Sequence, residues 1–306
     1  MDVIPAPARA PSSRCPGVRH GGRRHRPRRQ PRREDLAHAD GGRTRGPQSF
    51  YEAVAGAVLP FQTPRIRSVL GFEGRSATVE DRLTGRPLRP APDTGTKPGV
   101  ISDDEAACVA DVLASLAGVE VTAEMGVLPP VEGEPPFPTE TTPFTHSLAD
   151  LVERRVAKFR GPLLARCHAL DHVAAAVVGR LRALEPGTSG LVHGDLVPAN
   201  ILVDDAARPL AVLDFGFLTT IGDPAFDAAV TASIYDMYGP NAAGAEAVLE
   251  ASIADRFGYE PERLSLYRAA YALVTSNVFS ASGSDGHFEW CMRMLERPRI
   301  LGPLAL

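Results

Sequence analysis

His193-Gly194-Asp195, Asn200 and Asp214-Phe215-Gly216 combine the residue types and spacing that phosphoryl transfer needs. An Asp stands two residues after a His, an Asn five residues after that Asp, and a second Asp fourteen residues beyond the Asn. In such a site one carboxylate takes a proton from a hydroxyl, and an Asn/Asp pair holds magnesium on a nucleotide. Apolar runs at residues 191–192, 201–203 and 210–213 predict short strands that fix the loop ends. Taken singly, each residue has a plain structural reading, because an Asp after Gly is usually a turn residue and an Asn before a strand a loop end. The joint spacing is what points to one site.

The surrounding elements must hold these loops in place. Residues 49–59 read as a short helix ended by Pro60. Residues 65–70 and 76–82 read as two strands joined at Gly71-Phe72-Glu73-Gly74. Beyond them the chain is mostly helical. Ser102-Asp103-Asp104-Glu105 is a capping box, followed by Val109, Val112, Leu113 and Leu116 at helical spacing. Residues 126–146, rich in Pro, Thr and Glu, predict a loop. Helices are expected over residues 147–159 and 162–184, the second with an apolar stripe of Leu164, Cys167, Leu170, Val173, Val177 and Leu181. Past the Asp-Phe-Gly segment, helices are expected over residues 224–237, 243–257, 261–280 and 288–297.

At 306 residues the chain is one large domain or two modest ones, and a hydrophobic fraction of 44% is ample for a core. No apolar run reaches membrane-spanning length and none near the start reads as a signal peptide. Cys15, Cys108, Cys167 and Cys291 are too scattered for a metal or redox motif and read as free thiols of a cytoplasmic protein. The net charge of −4 is unevenly distributed: residues 1–46 hold twelve arginines against four acids, a surplus of +8, which leaves −12 on the rest. That leader has no Phe, Tyr or Trp and is dense in Pro, Gly and Arg, so it predicts a disordered, solvated tail. With no aromatic side chains among its arginines to stack bases, nucleic acid is not an expected partner.

The site residues resemble the aminoglycoside phosphotransferase and choline-kinase-like branch of the protein-kinase-like superfamily, over residues 48 to 300 or so. That branch reads His-Gly-Asp-x-x-x-x-Asn where protein kinases read His-Arg-Asp. It continues with Gly-Asp-Pro-x-x-Asp, present as Gly222-Asp223-Pro224-Ala225-Phe226-Asp227. The resemblance implies an α+β, bilobal kinase-like fold with a truncated N-lobe and a mainly helical C-lobe. Its divisions are expected at residues 1–46 (leader), 47–87 (residual N-lobe and hinge) and 88–306 (C-lobe). It implies Asp195 as catalytic base, Asn200 and Asp214 as magnesium ligands, and His193, Asp223 and Asp227 as structural supports. Asp223 is expected to cap a helix that starts with Pro224. Residues 79–88 resemble the interlobe hinge, where the backbone of Glu80 and Arg82 would meet the nucleotide base; a plain edge strand and turn is the alternative. The implied cofactors are ATP, or GTP, with magnesium, and the implied partner is a small molecule with a hydroxyl: an aminoglycoside-like, amino-alcohol or sugar-like acceptor. Asp285 and Glu289 stand where relatives present carboxylates to amines, with a solvated helix face as the alternative.

One half of such a site is missing from the pattern. A glycine-rich hairpin and a strand lysine normally grip the phosphates, the lysine held by a helix glutamate. The only lysines are Lys97 and Lys158, both after the hinge-like segment. Gly41-Gly42 lacks flanking apolar alternation, and Glu52, in the helix position, has no lysine partner and reads as solvated. Two accounts fit: a misassigned or frame-shifted gene start, or an impaired, non-catalytic relative that binds without turnover.

Overall fold

Phe50 and Val54, one helical turn apart and fully buried, seat the first helix, α1 (Arg45–Gly56), on the rest of the protein. In this computed structural model α1 starts four residues earlier than the sequence predicts, because Pro47 is tolerated in a first helical turn, and it ends at Gly56 rather than Leu59. The structure describes residues 45–72, 75–89 and 100–304, all within the compact unit Asp40–Leu306. The expectations for the leader up to residue 44, for Gly41-Gly42 and for Lys97 lie outside the described residues.

Strands β1 (Ile66–Phe72) and β2 (Arg75–Glu80) form an antiparallel pair that joins no other strand among the described residues. Their outer face is open, with Leu70 and Val79 exposed. Residues 81–84 follow in no ladder, and then β3 (Arg86–Pro87) begins a second sheet of order β3-β5-β6, with β5 at Ile201–Val203 and β6 at Pro209–Val212. Gln62 joins that sheet as a parallel bridge: its N–H donates to Leu210 O and its carbonyl accepts from Val212 N.

Helix α2 (Asp103–Ala117) opens with the expected capping box, Ser102 Oγ accepting from Glu105 N and the Glu105 carboxylate from Ser102 N. Glu105 also pairs with Arg89 at 2.6 Å. Val109, Val112, Leu113 and Leu116 are buried as their spacing predicts. After a 3-10 turn at Ala123–Gly126, α3 (Phe144–Lys158) begins directly behind Pro143, three residues before the predicted start. The single helix predicted over residues 162–184 is in fact two, α4 (Arg160–Arg166) and α5 (Leu170–Ala183), separated by an extended Cys167. The break re-phases the stripe. Leu163 instead of Leu164 is buried, while Leu170, Val173, Val177 and Leu181 keep their places. Arg160 pairs with Asp171 across the break.

The helical bulk gathers around α6 (Pro224–Ile234), in which all eleven residues are buried. A helix apolar all round must be enclosed on every side, and α2, α7 (Ala242–Phe257) and α8 (Pro261–Thr275) do so. Helix α8 stops at Thr275, short of the predicted residue 280, because the Asn277 amide donates to Ser280 O and Ala281 O and competes with the helix ladder. Helix α9 (Gly286–Leu295) starts after its Asp285 cap, and an unpredicted α10 (Pro298–Leu304) closes the chain. Arg268, Arg297 and Arg299 meet the buried Glu246, so that no charge there is left alone.

Strands β4 (Gly190–Val192) and β7 (Thr220–Gly222) form a two-stranded ribbon through this bulk, Gly190 opposite Gly222 and Val192 opposite Thr220. A Cβ on Gly222 would stand 2.6 Å from the Phe144 ring, which is itself packed edge-on against Phe226 and Tyr267. Gly222→Ala is therefore expected to destabilise the protein by about 1–3 kcal/mol, as overpacking does. Urea unfolding at neutral pH measures it, and an unchanged midpoint would show that Phe144 can move aside.

Candidate active site

The β4–β7 ribbon delivers His193 at one end, and β5 and β6 deliver Asn200 and Asp214. His193 is fully buried, and its ring partners fix its tautomer. Nε2–H donates to Leu213 O at 2.8 Å, and Nδ1 accepts from Asp195 N at 3.2 Å. Burial lowers its pKa, with Asp227 opposing. The ring lies 4.6 Å, centroid to centroid, from Phe215. His193 thus ties residues 193–195 to residues 213–215 as a neutral imidazole.

Gly194 has φ +83, and a Cβ there would meet Leu218 Cβ and Phe217 O at 2.6 Å. Only glycine fits between this His and this Asp. The buried Asp227 accepts from both ends of the tight segment, from His193 N and Gly194 N at 2.9 Å each. Its carboxyl is pushed upward by burial, opposed by His193 and by those two N–H groups. Asp223 caps α6 through Ala225 N, and its second oxygen takes Arg263 and the Tyr267 hydroxyl.

Asp195 is half-buried, and its carboxylate accepts no hydrogen bond from the described residues. Burial first, then the charges of Asp214 and Asp227, pushes its pKa up to about 6. The Asn200 amide donates to Asp195 O at 3.0 Å, which leaves Oδ1 as the free end of that side chain. Leu213 N donates to Asn200 O, so the residue before Asp214 is fastened to Asn200. Asp214 itself is exposed, in the left-handed region at φ +61. Asp195, Asn200 and Asp214 are thereby brought together. No group of three or more His, Cys, Asp or Glu side chains among the described residues could hold a metal alone.

Glu80 and Arg82 lie apart from this cluster in sequence but not entirely in space. Both are exposed, Glu80 as the last residue of β2 opposite Ile66, and residues 81–84 carry no backbone hydrogen bond among the described residues. Tyr51 links the two regions. Its hydroxyl donates to Phe215 O, and its pKa rises to about 12 through burial and the charges of Glu80 and Asp214. Glu52, one residue on, is exposed and accepts from Gln48. Lys158 lies at the end of α3 with its ammonium over the Phe159 ring.

Asp285 and Glu289 diverge. Glu289 pairs with Arg166 at 3.3 Å. Asp285 caps α9 by accepting from Phe288 N with Oδ1, while Oδ2 is buried without a donor. Tyr238 stands nearby, largely exposed, with the carboxylates of Asp285 and Asp195 close enough to disfavour its ionisation. The Tyr238 hydroxyl and His287 Nδ1 are 3.1 Å apart.

The sequence reading misses Tyr51, Thr219 and Tyr238. Thr219 is fully buried, its hydroxyl donating to His193 O and accepting from Gly216 N. The aromatic pair Phe50-Tyr51 on one turn is the signal that finds the first; the other two have none.

A model of the phosphotransferase enzyme family matches residues 23–266, and the chain belongs to that family. The match begins inside the arginine-rich leader, ahead of the residue 48 expected from the motifs. No curated protein sequence matches. Among solved structures, the apo form of a thermostable mutant of aminoglycoside phosphotransferase APH(4)-Ia is 18% identical, with 85% of this chain and 82% of that one covered and a TM-score of 0.59. A second mutant of that enzyme, in a ternary complex with ADP and hygromycin B, is 17% identical over 85% and 81%, with a TM-score of 0.59. The GDP complex of an aminoglycoside 2'-phosphotransferase-IIIa mutant is 17% identical over 82% and 78%, with a TM-score of 0.53. The chain has their α+β, kinase-like fold, small sheets with a mainly helical bulk. No helix among the described residues is long and apolar enough to cross a membrane.

His193 and His287 are both buried with lowered pKa. An unfolded imidazole takes up a proton near its ordinary pKa of about 6.5, whereas these take theirs only at lower pH. Their contribution to stability is therefore complete above pH about 6.5 and is lost as pH falls through the folded pKa. Asp195 and Asp227, with raised pKa, act in the opposite sense over the same range, so urea titrations from pH 8 to 5 should show the histidine loss as a difference, with His193→Gln falling less than wild type. An unchanged slope in that variant would mean that His193 is protonated alike in both states.

Proposed function

We propose that this member of the phosphotransferase enzyme family is a small-molecule kinase that moves the γ-phosphoryl group of ATP, or GTP, to a hydroxyl of an amine-bearing acceptor. One observation carries the reading: an Asp195 carboxylate with no donor of its own, within electrostatic reach of Asp214 and tied through its backbone to Asn200. Asp195 would take the proton as the acceptor oxygen bonds to γ-phosphorus and the bond to the β–γ bridging oxygen breaks. A pKa of about 6 leaves it ionised at pH 7 yet basic enough to help. Asn200 Oδ1 and the Asp214 carboxylate are hard oxygen donors. They suit magnesium, which takes one or two protein ligands and completes its shell with phosphate and water. When bound, the ion would neutralise charge on the phosphates. His193, Asp223 and Asp227 would hold this geometry without touching substrate. The free backbone groups of residues 81–84 beside Glu80 and Arg82 suit the edge of a purine. The ADP and GDP complexes of the structural neighbours support a nucleoside phosphate as donor. The acceptor's amine would approach on the Asp285 side of the site, where Oδ2 lacks a donor and would be reached once a neighbouring side chain moves. The three described cysteines, all free thiols, suit a cytoplasmic setting.

A second reading, a binding protein with impaired or no turnover on the same scaffold, is favoured by the position of the lysines. Lys158 is at the end of α3, and no lysine stands before Lys97 in this sequence.

The test is ATP consumption with magnesium and a panel of amino-hydroxyl compounds. Asp195→Asn should lower kcat by about 10²–10⁴-fold, Asp214→Ala should abolish magnesium-dependent nucleotide binding, and kcat/KM should fall below pH about 6 as Asp195 takes up a proton. Magnesium-dependent binding without turnover would favour the second reading, and neither binding nor turnover would remove the kinase reading. Asp285→Asn should raise KM for amine acceptors by roughly 10–100-fold, the equivalent of a hydrogen bond to a charged group, with kcat little changed. Equal KM values in variant and wild type would exclude Asp285 from the acceptor site.

A further inference from the structure

Asp214 is an exposed non-glycine residue in the left-handed region, at φ +61. Such a conformation is unfavourable and persists only where the surroundings hold it. Three side chains supply the restraint. Upstream, His193 Nε2–H donates to Leu213 O at 2.8 Å and fixes the peptide plane that enters Asp214. Downstream, the plane between Phe215 and Gly216 is held at both ends. The Tyr51 hydroxyl donates to Phe215 O at 2.9 Å, and Gly216 N donates to Thr219 Oγ1 at 2.8 Å. Only the soft torsions of Asp214 and Phe215 lie between the held planes.

The three restraints differ in origin. Thr219 also donates to His193 O, so His193 and Thr219 belong to one local body around residues 193–195. Tyr51 reaches in from α1, 164 residues away in sequence. Packing does not require its hydroxyl. Phe50 and Val54, fully buried, seat α1, and the Tyr51 ring stands edge-on to Phe50 and Phe215. The Phe215 ring is buried near Phe50 and His193, with centroids 5.8 and 4.6 Å away, so the segment is already kept against α1. What the hydroxyl adds is the orientation of the Phe215 carbonyl.

We infer that Tyr51 is a positioning residue for Asp214. Its hydroxyl fixes the Phe215–Gly216 peptide and thereby holds the Asp214 carboxylate where it meets magnesium together with Asn200 Oδ1. The inference rests on the reading of Asn200 and Asp214 as magnesium ligands. It gives α1 a part in the metal site through Tyr51 and not through the adjacent Glu52, which is exposed and bonded to Gln48.

Tyr51→Phe removes the hydroxyl and keeps the ring. Titrating magnesium into protein with saturating ADP, and following the rise in Tm, gives the magnesium concentration for half the effect. That concentration should be roughly 3–10-fold higher in the variant, the equivalent of one neutral hydrogen bond, with ADP affinity in EDTA unchanged. Manganese binding in the presence of ADP, followed by electron paramagnetic resonance, should shift in the same way. A merely structural hydroxyl would lower the Tm of the free protein, or weaken ADP with and without magnesium alike, and leave the magnesium midpoint in place; that result overturns the inference. Wild-type protein with no magnesium-dependent ADP binding overturns the metal reading and this inference with it, so wild type alone tells the two failures apart. If the variant fails to fold, hydrogen exchange on wild type takes its place. Magnesium added to the ADP complex should slow exchange in residues 49–53 as well as in 213–216, because coupling between two sites is reciprocal. Protection confined to residues 213–216 overturns the inference.

Discussion

Asp227 accepts two main-chain hydrogen bonds, from His193 and Gly194, in the first turn of a helix with no exposed face. A buried carboxylate is costly unless its oxygens are satisfied, and here the donors come from the one segment whose shape matters most. The helix cannot shift without leaving its core, so the segment cannot shift without orphaning a charge. From that point the order spreads outward. Gly194 turns, the His193 ring reaches Leu213 O, Thr219 bonds to His193 O, and Phe215 stacks near the ring. Phe50 and Tyr51 then fasten α1 to Phe215.

The same few residues give two carboxylates opposite circumstances. Asp227 has two N–H donors and no solvent. Asp195, a short way along, has partial burial, two neighbouring negative charges and no donor. Environments that separate the behaviour of paired carboxylates are a recurring mark of proton chemistry. The contrast depends on backbone direction, because the N–H groups of residues 193 and 194 point toward α6 while that of residue 195 turns back to His193 Nδ1.

Elements with local signals are legible in the sequence. Ser102 and Glu105 announce α2, Asp223-Pro224 announces α6, and the short apolar runs announce β4 to β6. The split of residues 160–184 escapes the apolar stripe because Leu163 and Leu164 are equally apolar, and only packing decides which one is buried. The grouping of Asp195, Asn200 and Asp214 is readable because their separations are set by one loop and one strand pair. Thr219 and Tyr238 are not readable, since their partners, His193 and His287, lie 26 and 49 residues away and no local pattern connects them.

The bond from Leu213 N to Asn200 O also has a mechanical consequence. The oxygen donors of Asn200 and Asp214 belong to one ladder and keep their separation as a single body. The β1–β2 pair and α1 reach that body through Phe50 and Val54 in the common core, the Tyr51 hydroxyl, and Gln62 held at both its main-chain groups. Gln62 thus ties the segment ahead of β1 directly into the sheet whose ends carry the two oxygens, so that a displacement of one is felt at the other.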